Sequence, residues 1–176
     1  MPQQPARFEA YTVDRFIEVI KAWIEHPWPI TATEARTIYE SLGYSEDPKD
    51  PEMFASPFAD GESDSYYVTV KGMVSTVDIA VAHPCNADEE KESFAAIVSA
   101  YDAFCQAINS HYKNMISATR SEDGSTEWTF TSDVELDVSV WNRSVSACIH
   151  SPYMTQLRRE EEEMGLTSYD DILEDD

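Results

Sequence analysis

Two short spacings in this sequence bring together side chains able to bind a metal or act as a nucleophile: His83 with Cys85, and Cys148 with His150. A structural zinc site draws its Cys and His ligands from two closely spaced pairs. Pro84 separates His83 from Cys85, and no second ligand pair follows, so this spacing reads as a loop surface. Cys148 and His150 are two residues apart and share one face of a strand. A thiolate nucleophile needs its base within hydrogen-bond reach, and neighbours on one strand face are expected to point in parallel rather than converge. The five glycines are scattered, which argues against the glycine-rich phosphate loop of a P-loop or dinucleotide-binding fold. Carboxylates are so abundant that some pair always looks catalytic, so Glu135 and Asp137 carry no catalytic signal on their own. The sequon Asn142-Arg143-Ser144 has meaning only in a secreted chain. The chain therefore reads as a non-enzyme, with no catalytic residue, no metal and no cofactor.

Charge narrows the partner class. Twelve basic against thirty-four acidic residues leave a formal net charge of −22, a field that repels nucleic acid and anionic membranes and attracts basic proteins. No stretch has the apolar length of a membrane span, and the start, MPQQPARFEAY, lacks the apolar core of a secretion signal. Cys85, Cys105 and Cys148 are odd in number and not closely paired, unlike a disulfide framework. A cytoplasmic protein is expected, of unknown oligomeric state.

The elements follow from periodicity. The longest helical pattern covers residues 88–112, where Phe94, Ile97, Val98, Tyr101, Phe104, Cys105, Ile108 and Tyr112 recur at three- and four-residue steps. Before it, residues 13–24 form an amphipathic helix that Pro27 must end. Trp28 is expected to plug the bend, and Thr31 with Glu34 forms a capping box for a short helix closed by Gly43. These two make a helical hairpin. Residues 45–65 form an acidic loop whose Met53, Phe54 and Phe58 are expected to dock on the protein's own core.

Residues 66–70 and 73–82 read as a hairpin about Lys71-Gly72, with Met73, Ser75, Val77, Ile79 and Val81 on the core face and Val74, Thr76 and Asp78 on the other. Residues 127–131, 134–141 and 144–151 give three more strands; in VELDVSVW the alternation turns Glu135, Asp137 and Trp141 away from the core. A short helix over 153–164 ends at Gly165. The expected class is α+β: an antiparallel sheet of about five strands, a long central helix, an N-terminal helical hairpin and a short C-terminal helix. Residues 1–12 read as a leader, 13–165 as a single domain and 166–176 as an acidic tail in which Tyr169, Ile172 and Leu173 could dock.

One constellation invites a partner. Asp78, Glu135 and Asp137 should share the outer sheet face with Trp141 and Tyr67, an aromatic anchor ringed by negative charge that suits capture of a basic protein. The Trp-bearing first helix, the bend at Trp28, the capped helix ending in Leu42-Gly43-Tyr44, the long helix and the closing Trp128 to Trp141 hairpin resemble a family of small, acidic, uncharacterised actinobacterial proteins. The resemblance covers residues 13–165, and the acidic insert from Ser45 to Asp64 departs from it. Proteins of that kind are regarded as candidate immunity proteins of secreted toxins, which implies a non-catalytic inhibitor of a basic toxin domain. The alternatives are a secretion-chaperone-like protein holding an effector segment, or a small-ligand enzyme.

Overall fold

The structure, a computed structural model, describes residues 8–165 apart from Asn142. The expected tail contact through Tyr169, Ile172 and Leu173, and the asparagine of the sequon, lie outside the described residues. In chain order the elements are β1 (Glu9–Ala10), α1 (Val13–Ile24), α2 (Ala32–Ser41), β2 (Ser45–Glu46), β3 (Met53–Ala55), β4 (Ser65–Val70), β5 (Met73–Ala80) and β6 (Ala82–His83). A 3-10 turn (Ala87–Glu89) then leads into α3 (Glu90–His111), followed by β7 (Ile116–Glu122), β8 (Ser125–Phe130), β9 (Glu135–Trp141), β10 (Ser144–His150) and α4 (Pro152–Glu163).

Helices begin where a side-chain oxygen takes up a backbone N–H that has no helical acceptor. Thr12 accepts from Arg15 N, Thr31 from Glu34 N and Ser151 from Met154 N, each at 3.2 Å. Gly43, at φ +90°, ends α2 in the left-handed conformation that a side chain would oppose. The capping box and the helical hairpin stand as expected, and Trp28 Nε1 donates to Trp23 O at 3.1 Å across the bend.

The main sheet is antiparallel throughout, with strand order β2-β3-β4-β5-β10-β9-β8-β7, and β1 pairs separately with β6. The α+β class holds, but the main sheet has eight strands rather than about five. The uncounted strands have physical reasons for being silent. β7, ISATRSE, is an edge strand with six of its seven residues exposed, so no apolar alternation marks it. β2 and β3 are two and three residues long, too short to show a period. They form because Phe54 is fully buried and stacks on Tyr39 at 4.4 Å, which docks the acidic segment on the protein's own core.

One face of the sheet is apolar and covered. α3 lies on β9 and β10, α1 on α3, and α2 on β5, so the N-terminal hairpin and the long helix share a side. Val77, Ile79, Leu136, Val138, Ala147 and Ile149 line this face beneath Phe16 and Phe104, whose rings stack at 4.0 Å. Trp128 is fully buried there, with its Nε1 donating to Asn109 Oδ1 at 2.8 Å. Among the described residues no helix is long and apolar enough to cross a membrane.

Two expectations about faces are corrected. In α3 the packed stripe begins at Ile97, and Phe94 stands 61% exposed, because periodicity marks a face but not how far its partner extends. In β5 the pairing shifts between Val68/Thr76 and Thr69/Val74, leaving Ser75 as a bulge. The extra residue reverses the alternation beyond it, so Val74 is buried and Met73, expected in the core, is 41% exposed. Truncating the stacked ring by Phe104→Ala should cost about 3–5 kcal/mol in urea unfolding, whereas Phe94→Ala should stay within about 0.5 kcal/mol. Equal losses at both sites would contradict this packing.

Candidate partner-binding face of the sheet

Successive strand side chains alternate faces, so the register of four adjacent strands decides which polar residues meet on the side away from α1, α2 and α3. Cys148 of β10 stands opposite Asp78 of β5 and Asp137 of β9, and Asp137 opposite Glu127 of β8. Tyr66 extends this row past Asp78, and Arg120 past Glu127. The neighbouring row holds Thr76, His150, Glu135 and Thr129. On the other side lie the small residues Ala80, Ser146, Ser139 and Ser125, with Ser139 and Ser146 hydroxyls 3.1 Å apart. α4 crosses the His150 end of this face, where Arg158 bonds Glu127 at 2.6 Å and also Glu135.

Three of the five residues singled out from sequence meet here: Asp78, Asp137 and Glu135. Trp141 has the same parity at the end of β9 and is 71% exposed, about 13 Å along the strand from Asp137 at the usual rise per residue. Tyr67 does not belong. It faces the core opposite Val77 and is almost fully buried, because strand parity puts it on the opposite side from Asp78. The tyrosine beside Asp78 is Tyr66, its direct partner across the β4–β5 ladder. Its signal was the one-residue offset from Tyr67. Arg158 gave none, because its role depends on α4 folding back over the sheet.

Half-burial shapes the electrostatics. Asp78 and Asp137 are both raised above the usual carboxylate range, chiefly by desolvation, and Asp137 additionally by the charge of Glu127. Glu135 is pushed up to about 7, by burial first and then by sharing a hydrogen bond with Glu127. Glu127 is lowered by accepting that bond, with Arg120 and Arg158 adding their charge. Carboxylates held in this way are short of positive charge, and a docked cation would relieve them.

Cys148 and His150 converge more than expected: Sγ lies 3.8 Å from Nε2, and Thr76 Oγ1 lies 3.4 Å from Nδ1. Their protonation runs against nucleophilic chemistry. Burial and the flanking acids push the thiol up to about 12, and burial lowers the imidazole, so both are held neutral. Among the described residues no group of three His, Cys, Asp or Glu side chains is arranged to hold a metal ion.

The Glu135 shift has a consequence for stability. A carboxyl whose folded pKa is raised contributes stability that is complete below its unfolded value near 4.5 and lost as pH rises through about 7. His150, lowered by burial, contributes in the opposite sense, gaining as pH rises past its unfolded value. The difference between wild type and Glu135→Gln in urea-unfolding free energy should therefore shift against wild type between pH 5.5 and 8, by roughly 1 kcal/mol. A difference that stays flat over that range would mean Glu135 is not raised.

No curated protein and no solved structure shows a match to this chain. A family model does match, over residues 14–151, from the start of α1 through β10 and just short of α4. That span holds Asp78, Glu127, Glu135, Asp137, Cys148 and His150, while Arg158 lies beyond it. The chain belongs to the family of unknown function DUF6301.

Proposed function

We propose that this protein is a non-catalytic, cytoplasmic immunity-type protein that binds a basic toxin domain and blocks its activity. The observation that carries this reading is the outer sheet face. Asp78 and Asp137, half-buried and with no ion pair among the described residues, share it with small serines, Tyr66 and the exposed Trp141. A cationic group seated there gains from carboxylates already stripped of much of their water, and the aromatics supply apolar anchorage. A net charge of −22 draws a basic partner in and speeds encounter.

A second reading, a secretion-chaperone-like protein holding an effector segment, is favoured by the apolar exposure of Val68, Val70 and Met73. Self-association separates the two, because a chaperone of that kind should dimerise through an apolar face.

The test is capture from the native host with the tagged protein as bait, at low and then moderate salt. The expected product is a basic polypeptide whose toxicity this protein suppresses on co-expression, with binding that weakens as salt rises. Asp137→Asn combined with Trp141→Ala should weaken that complex by about tenfold or more in titration calorimetry. A captured polypeptide whose activity is unchanged by the protein would sink the proposal.

A further inference from the structure

Strand β4 is only half covered along its outer edge. Ser65 and Tyr66 pair with β3, and Tyr67 N donates to Glu52 O at 3.2 Å. There β3 stops, so among the described residues the strand pairs from Val68 to Val70 with β5 alone. Backbone groups alternate direction along an antiparallel strand, so Thr69 aims its N–H and C=O outward as Tyr67 does. Among the described residues no strand meets them there.

Proteins blunt such edges with charge, proline or a bulge. The opposite edge of the sheet obeys this: β7 carries Arg120 and Glu122 and an irregular register near Ile116. The open part of β4 is Val68-Thr69-Val70, with Val68 43% and Val70 38% exposed. Beside it, Val70, Met73, Trp28, Pro29, Pro152 and Tyr153 line an apolar groove of about 380 Å³.

Charge decides what could fill this edge. A second copy would bring −22 against −22 across three residues of strand, too little contact to offset the repulsion. A cationic segment meets the reverse situation at one end, because the exposed Asp50 and Glu52 flank Pro51 where β3 stops, at the head of the open slot. The exposed Lys71 stands at the other end beside the groove, so the basic side chains belong at the Asp50 end.

We propose that the open edge of β4 accepts an extended segment of the cationic partner as an added strand. Its backbone bonds Tyr67 O and the N–H and C=O of Thr69, its apolar side chains lie along Val68, Val70 and the groove, and its basic side chains face Asp50 and Glu52. The choice of a cationic segment rests on the basic partner proposed above, whereas the open edge does not.

The probe is a capped octapeptide of alternating lysine and valine, titrated into the whole protein while backbone amide NMR shifts are followed. Binding should perturb Thr69 and its neighbours. Methylating the peptide nitrogens that face the edge should weaken binding by about tenfold or more, as should replacing lysine by glutamate. Thr69→Pro should abolish binding without loss of fold, since its N–H serves no bond to β5. The methylated peptide needs no altered protein, so the answer does not hinge on that variant folding.

No binding, equal binding of the methylated peptide, or shifts confined to Asp78 and Asp137 would overturn the inference. A captured partner that binds wild type and Thr69→Pro equally would also overturn it, and would leave the proposed function standing. Failure to capture any basic partner, with the peptide still seated on β4, would do the opposite.

Discussion

The antiparallel pairing of β10 with β5 on one side and β9 on the other holds the two halves of this protein together. β2 to β5 come from the first half of the chain and β7 to β10 from the second, and this ladder makes them one sheet. The closure is entropically costly, because α3 and four strands, β6 to β9, lie between β5 and β10 in sequence. What offsets it is the apolar face that the ladder assembles. Val77, Ile149 and Leu136 stand side by side in one register, as do Ile79, Ala147 and Val138 in the next, and α3 can bury them only once the strands are paired.

The same ladder has an unavoidable second product. With a side-chain period of two, aligning apolar residues on one face aligns Asp78, Cys148 and Asp137, and then Thr76, His150 and Glu135, on the other. Among the described residues most of the acidic side chains are exposed. Those on this face differ because neighbouring strands and α4 remove part of their water without supplying equivalent positive charge. Arg158 partly compensates one corner, by bonding both Glu127 and Glu135. The serines beside Asp78 and Asp137, at Ser125, Ser139 and Ser146, add no charge of their own.

The sheet's two edges show the same contrast between supplied and missing partners. β7 is long, polar and carries both signs of charge, so its exposed backbone is protected by its own side chains. β4 is shielded by β3 for as long as Phe54 holds that short strand on the core. Beyond that point no strand among the described residues covers the edge, and Val68 and Val70 stand exposed on it.

The four helices and the strands β4, β5, β8, β9 and β10 each announced themselves in the sequence. The stripe of α3, the cap at Thr31, the Lys71-Gly72 turn and the alternation of VELDVSVW are local patterns, set by the geometry of short windows. Local parity also placed Asp78, Glu135 and Asp137 on the outer face. What depended on distant partners was not legible. Strand order, the bulge at Ser75 that exchanges Met73 for Val74, and the exclusion of Tyr67 in favour of Tyr66 come from pairing across the sheet. The strands β2, β3 and β7 needed neighbours to exist as strands at all. The sequence by itself determined the class, the charge and the faces of the regularly alternating stretches, because those are properties of short windows. Only the tertiary structure decided which acids are stripped of water, which arginine answers them and which edge stays open, because each depends on elements far apart in the chain.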